Sequence, residues 1–233
     1  VSNDRRRAVV TGSSSGIGFA IARRLLDDGW LVTGFDLATA TLDHAAFTAV
    51  AVDLRDGDAI ERASLAALGT GTVDALVHAA GVLRVGPLGA LDADAGHLMW
   101  QLHVDALTRI AGALVPRMQE AGTGRVVIIG SRVSRGMAGR SQYAATKAAL
   151  VALARSWAAE VVANGVTVNV VSPAATATAM LDDPARQAAA PRVPPLGRLI
   201  QPQEIAALAA YLLSPDAAAI TGQEIQICGG SSL

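Results

Sequence analysis

A tyrosine and a lysine four residues apart, in Tyr143-Ala144-Ala145-Thr146-Lys147, carry the chemistry most open to this chain. On a helix that spacing puts both side chains on one face. A phenol titrates near ~10, too high to act as a base at neutral pH. A neighbouring ammonium lowers it by favouring the phenolate. Ser131 follows the apolar run Val126-Val127-Ile128-Ile129-Gly130 and can hold a substrate oxygen from the other side. Together the three can move a proton to or from an oxygen while a hydride is exchanged with a cofactor. A solvated helix face carries such a pair too, so its meaning depends on what surrounds it.

Far upstream lies a second constellation. Arg7-Ala8-Val9-Val10 reads as a strand, Thr11-Gly12-Ser13-Ser14-Ser15-Gly16-Ile17-Gly18 as a glycine turn, and Phe19 to Leu26 as an amphipathic helix. That order makes a phosphate cradle, with Ser14, Ser15 and Ile17 filling the turn around its glycines. Gly12 permits the turn, Gly16 lets backbone approach a pyrophosphate, and Gly18 lets the helix lie close to the strand. The spacing is Gly-x3-Gly-x-Gly and not Gly-x-Gly-x-x-Gly, so the turn alone is a weak signal. Asp36 ends the next strand, where a carboxylate accepts both adenosine ribose hydroxyls and repels a 2′-phosphate. Leu37 follows it and Ser15 precedes Gly16, so no cation there offsets the repulsion, and NAD is expected over NADP. Asp53, before Leu54, either accepts a hydrogen bond from the adenine amino group or serves a turn.

Strands and helices alternate around these residues. Strands are expected at 30–35, 49–52, 73–77, 125–129, 166–171 and 224–227. Helices are expected at 58–68, 94–119, 141–163 and 202–213, with Pro116 a candidate kink. Only a short loop fits between the second and third strands. The fold class is therefore α/β: a doubly wound parallel sheet of about seven strands with helices on both faces, a Rossmann-type three-layer sandwich. Residues 1–233 are expected to make one dinucleotide-binding domain, with a short lid at about 180–199 that includes Pro184, Pro191, Pro194 and Pro195.

Composition narrows the partners. Net charge is −1 and aromatics are 3%, which disfavours nucleic acid and anionic membrane. The lone Cys228 excludes an internal disulfide and fits a reducing, cytoplasmic compartment. No apolar run reaches membrane-spanning length, and Val1 to Arg7 contain no signal-peptide core. No metal-ligand set is assigned.

The joint pattern resembles the short-chain dehydrogenase/reductase family over essentially the whole chain. It rests on the glycine turn, Asp53, Ala79-Ala80-Gly81, Ser131, Tyr143-x3-Lys147, Asn169, Pro173 and Thr178. The resemblance implies Tyr143 as acid/base, Lys147 on the nicotinamide ribose, and Ser131 orienting the substrate oxygen. It places Ala79, Ala80, Gly81, Pro173, Ala174 and Thr176 along the cofactor, with Thr178 on its carboxamide. It also implies a homotetramer built on the two long helices. Departures from the pattern are His78 and His103, each where the family usually has asparagine. His103 either holds a water or relays protons, or it is a packed core histidine. Ser131 lies one residue closer to the tyrosine than is common, which leaves Ser134 as fallback.

For the substrate, a small polar secondary alcohol or ketone is expected: a sugar, polyol, 3-oxoacyl group or cyclic diol. Val32 to Asp36 and Ala79 to Gly86 resemble 2,3-dihydro-2,3-dihydroxybenzoate dehydrogenases, and Arg84 would then meet a substrate carboxylate, or else be a solvated loop residue. Ser131 to Gly136 is similar to reductases of 3-oxoacyl groups, sugars and polyols, with Arg132 and Arg140 structural or interfacial. Met180 is expected beside the substrate. The reading from another class is a catalytically silent NAD-binding redox sensor.

Overall fold

The computed structural model describes residues 5–181 and 192–233. Seven parallel strands form one sheet in the order β3-β2-β1-β4-β5-β6-β7. They are β1 (Arg7–Thr11), β2 (Leu31–Asp36), β3 (Phe47–Ala51), β4 (Ala75–His78), β5 (Gly124–Ile129), β6 (Val166–Pro173) and β7 (Glu224–Ile227). Among the described residues six α-helices cover it: α1 (Gly16–Asp27), α2 (Gly57–Gly69), α3 (Ala93–Trp100), α4 (Ala106–Glu120), α5 (Ser141–Val161) and α6 (Pro202–Leu212). The expected Rossmann-type α/β sandwich is therefore the fold.

The strands are apolar without alternation because both sheet faces are covered. Successive side chains nevertheless go to opposite layers. Val9, Leu76, Val126 and Ile128 face one layer, where Ile60 of α2, Leu107, Ile110 and Leu114 of α4 and Leu150 of α5 close over them. Ala8, Val10, Val77, Val127 and Ile129 face the other, under Ile21 and Leu25 of α1 and Ile205 and Leu212 of α6. Burying each large aliphatic chain contributes about 1.5–3 kcal/mol. Asp56 and Asp92 cap α2 and α3 by accepting the N–H groups two and three residues on. Buried Asn169 pins the β7 edge: its Nδ2 donates to the Ile220 carbonyl at 2.7 Å and its Oδ1 accepts the Gln223 N–H at 3.1 Å.

Most element boundaries lie within three residues of the expectation, with β3 at Phe47–Ala51 in place of 49–52. β4 begins at Ala75, not Val73; just before it the Asp74 carboxylate accepts the Arg7 N–H at 2.7 Å. β6 extends through Ser172 and Pro173, held by β7. The long helix is not kinked at Pro116, which lies inside regular α4; it is interrupted at Gln101–Asp105 by a π turn. No helix joins β2 to β3, as their short spacing requires. Among the described residues no helix is long and apolar enough to cross a membrane.

Candidate active site

Strand order reverses between β1 and β4, and a cleft of about 520 Å³ opens over their carboxyl ends. That is ample for a bound small molecule. At one end α1 starts behind Ser15, whose side chain makes no capping bond, and no acidic residue occupies its first turn. Its leading N–H groups are thus left for an anion. Gly12, Ser15, Gly16, Ile17 and Gly18 line this end. Space dictates the glycines: a Cβ on Gly12 would sit 2.9 Å from the Ala80 backbone, and one on Gly18 would overlap the Gly12 carbonyl.

Asp36 lines the cleft beyond the turn. Its Oδ2 accepts the Ser14 N–H at 2.9 Å and its Oδ1 the Ala38 N–H at 3.0 Å. Ser14 itself does not line the cleft; its hydroxyl donates to the Ala38 carbonyl, so it braces Asp36 instead of facing a ligand. Asp53 and Leu54 do line it. Arg55 Nη2 lies 2.6 Å from Asp53 Oδ2, and the Arg55 side-chain and backbone hydrogen bonds hold that carboxyl below its ordinary range. Asp53 Oδ1 also accepts the Arg55 N–H, so the turn role is realised at the cleft wall. An uncapped helix start, a glycine floor and a fixed carboxylate fit the pyrophosphate and ribose of a dinucleotide.

Ala79, Ala80, Gly81, Pro173, Ala174, Thr176 and Thr178 form the middle of the cleft. Ala79 and Ala80 donate their N–H groups to Thr11 Oγ1 at 3.1 and 3.0 Å. Thr178 stands opposite Gly16, 3.4 Å from where a Cβ there would lie.

At the other end Ser131, Tyr143 and Lys147 converge. Ser131 ends the β5 loop and caps the short 3-10 turn after it, accepting the Val133 N–H at 3.2 Å through Oγ. Its hydroxyl hydrogen remains to donate. Ser134 is elsewhere, donating to Glu224 at 2.9 Å, which removes it as the alternative. Lys147 is buried, with Nζ donating to the Ile129 carbonyl at 2.9 Å and lying 5.7 Å from the Tyr143 ring centre. Desolvation pushes its pKa down to about 7. His103 also borders the cleft, wholly buried.

The substrate side departs from expectation. Arg84 does not line the cleft; its Nη1 donates to its own neighbour's carbonyl, Leu83, at 3.0 Å. Arg132, Arg140 and Arg192 line it instead, together with Met180. Arg132 also donates to the Ser231 carbonyl at 3.3 Å, tying the chain end to the site. Of the expected lid, residues 182–191, with Pro184 and Pro191, lie outside the described residues. Pro194, Pro195 and Leu196 rest on the Gly229–Gly230 turn.

Thr11, Thr146 and Arg55 carry roles here that the sequence does not announce. Thr11 and Thr146 stand inside the two motifs, so their position was visible, but their hydrogen bonds depend on which strands become neighbours. Arg55 signals itself only as a cation two residues from an aspartate.

A family model described as enoyl-(acyl carrier protein) reductase matches residues 12–232. The chain is 36% identical over 237 residues to a 3-oxoacyl-[acyl-carrier-protein] reductase of Vibrio harveyi, covering 96% of each. It is 34% identical over 241 residues to the oxidoreductase asL5 of Sarocladium schorii, covering 97% of this chain and 95% of that one. Among solved structures it is similar to an actinorhodin polyketide ketoreductase determined with NADPH, at TM-score 0.89 and 29% identity over 100% of this chain and 99% of that one. It is also similar to the 3-ketoacyl-(acyl-carrier-protein) reductase of Brucella melitensis complexed with NADH, at TM-score 0.90 and 27% identity over 98% of each. Likeness of this extent, end to end and in both sequence and fold, means that the chain belongs to the short-chain dehydrogenase/reductase family.

Proposed function

We propose that this protein is an NAD(H)-dependent oxidoreductase that interconverts a ketone and a secondary alcohol, with Tyr143 as the proton donor and acceptor. The observation that carries the reading is the convergence of Ser131, Tyr143 and Lys147 on the same cleft that holds the uncapped α1 terminus and Asp36. A bound nicotinamide supplies or accepts the hydride. Ser131 donates a hydrogen bond to the substrate oxygen, and the Tyr143 phenol delivers its proton to that oxygen as negative charge develops there. In the oxidative direction the phenolate takes the proton back. The buried Lys147 ammonium stabilises that phenolate, and the Ile129 carbonyl holds it in place.

Asp36 supports NAD over NADP. Its carboxylate is fixed by two backbone N–H groups at the end of β2, and a fixed negative charge there would repel a 2′-phosphate. For the substrate, the 3-oxoacyl reductases among the relatives favour a 3-oxo group within a small polar molecule. The aromatic-diol acid alternative loses its expected carboxylate contact, because the Arg84 side chain does not line the cleft. A cytoplasmic homotetramer paired through α4 and α5 belongs to the same proposal, and light scattering of the purified protein tests its mass.

The test is spectrophotometric. Purified protein is given NADH or NADPH with 3-oxoacyl thioesters, small cyclic ketones and ketoses. Oxidation of NADH by at least one ketone, abolished by Tyr143→Phe while NADH still binds, is the expected result. Turnover unchanged by that substitution overturns the mechanism.

A further inference from the structure

His103 sits at the centre of the π turn, fully buried, with both ring nitrogens engaged by protein groups. Nε2 lies 3.2 Å from the Val82 N–H and Nδ1 lies 2.8 Å from Thr146 Oγ1. A backbone N–H can only donate, so Nε2 carries a lone pair and the ring proton is on Nδ1. Thr146 accepts that proton's hydrogen bond and donates its own hydroxyl to the Tyr143 carbonyl at 2.9 Å. One directed chain of bonds thus runs from Val82 through His103 and Thr146 to Tyr143. The His103 ring also stands edge-on to the Tyr143 ring, with centres 5.6 Å apart.

His78 is arranged in the opposite sense. The Ala106 N–H, which an α-helix would direct to Leu102, bonds to Gln101 across the π turn. His78 Nε2 takes the released Leu102 carbonyl at 3.1 Å. A carbonyl can only accept, so the His78 proton is on Nε2, and its Nδ1 accepts from Thr11 Oγ1 at 3.0 Å. Thr11 in turn holds the Ala79 and Ala80 N–H groups.

We propose that His103 and His78 are a two-histidine brace of opposite tautomers, locking the π turn between the Ala79–Val82 loop and the catalytic helix. In it His103 is a positioning residue for Tyr143 and for the cofactor wall, and carries no proton during turnover. A relay would need a ring nitrogen able to exchange its proton with water or with Lys147; neither nitrogen of His103 is available. Burial and the Lys147 charge both push the His103 pKa well below its ordinary value, consistent with a permanently neutral ring. The proposal rests on the reading of Tyr143 as the acid/base only for its kinetic consequence.

Two amide substitutions separate the two bonds. In His103→Asn the amide replaces Nδ1 and reaches Thr146 alone; in His103→Gln it replaces Nε2 and reaches Val82 alone. His103→Asn should keep kcat and weaken NADH binding, and His103→Gln should keep NADH binding and lower kcat, each by roughly three- to tenfold, the value of one neutral hydrogen bond. Both should keep the inflections of the wild-type pH profile. Loss of a limb of the pH profile in either variant would show proton transfer and overturn the brace.

Nitrogen NMR of the wild-type protein labelled in its four histidines decides the tautomers without any variant. The expected result is a neutral Nδ1–H ring for His103 and a neutral Nε2–H ring for His78 at pH 7; the reverse pairing or a charged ring refutes the proposal. If Tyr143→Phe left turnover intact, the acid/base reading would fail, while the tautomers and the NADH-binding difference would still judge the brace.

Discussion

Asp36 accepts the Ser14 N–H at 2.9 Å, so the carboxylate at the end of β2 and the glycine turn after β1 form one rigid piece. The Ala38 N–H fixes its second oxygen. A carboxylate held from two directions cannot swing aside for a 2′-phosphate. Asp36→Ala should weaken NADH binding by roughly ten- to a hundredfold, the worth of a hydrogen bond to a charged group. NADPH binding should fall much less or improve. Fluorescence titration with both cofactors measures the ratio, and an unchanged ratio removes Asp36 from the ribose site.

Ser131 and Ser134 are close in sequence and far apart in role. One lines the cleft; the other is spent on Glu224, which also takes the Ser172 hydroxyl at 2.7 Å. Ser131→Ala should therefore lower kcat by tenfold or more, towards the ~10²–10⁴ expected for loss of the Tyr143 proton donor. Ser134→Ala should leave kcat near wild type and cost stability, because Glu224 loses a donor. Steady-state kinetics beside thermal melting separates the two, and equal kcat losses would show that Ser131 has been misassigned.

The buried histidines make the fold sensitive to acid. His78 has a pKa pushed down to about 3, first by burial and then by the Lys147 charge. In the unfolded chain it titrates near ~6.5, so between these values the unfolded state binds the proton and the folded state does not. Stability is full above the unfolded value and is lost as pH falls through this window, by about 1.4 kcal/mol per pH unit for each such proton. His103, also lowered, adds to the same slope. Denaturant unfolding of wild type and His78→Asn between pH 6.5 and 4.5 should show a shallower slope in the variant. Parallel curves would mean that His78 is charged in the folded protein.

The fold and the cleft floor were legible because they rest on local signals. Gly12, Gly16 and Gly18 announce a strand-turn-helix, and the strand ends at Asp36, Asp53 and Ser131 must share one edge of a parallel sheet. Arg84 stayed open between a substrate contact and a loop role because a loop arginine near a glycine motif says nothing of where its guanidinium turns; it turns to the Leu83 carbonyl. The π turn left no local mark: nothing in Gln101-Leu102-His103-Val104-Asp105 breaks a helix. It is stabilised from outside, by His78 of β4 taking the Leu102 carbonyl. The meaning of His103 was undecidable for the same reason, since both its partners come from other elements, Val82 and Thr146.

Gly81 is the position where the brace meets the cofactor wall most closely. A Cβ added there would lie 2.5 Å from His103 Nε2 and 2.7 Å from Cδ2. The imidazole cannot yield, being fully buried and held on its far side by Thr146. Gly81→Ala must therefore push the 81–82 backbone outward and break the Val82 hydrogen bond. The expected cost is about 1–3 kcal/mol of stability, the usual range for overpacking. NADH affinity should fall with it, because Ala80 and Gly81 line the cleft. The shorter side chain of His103→Asn relieves the clash and has already given up the Val82 bond, so Gly81→Ala should cost much less in that background. A double-mutant cycle on unfolding free energy and on NADH binding measures the difference. Additive costs would mean that the alanine is accommodated by some route other than the one that closes on His103.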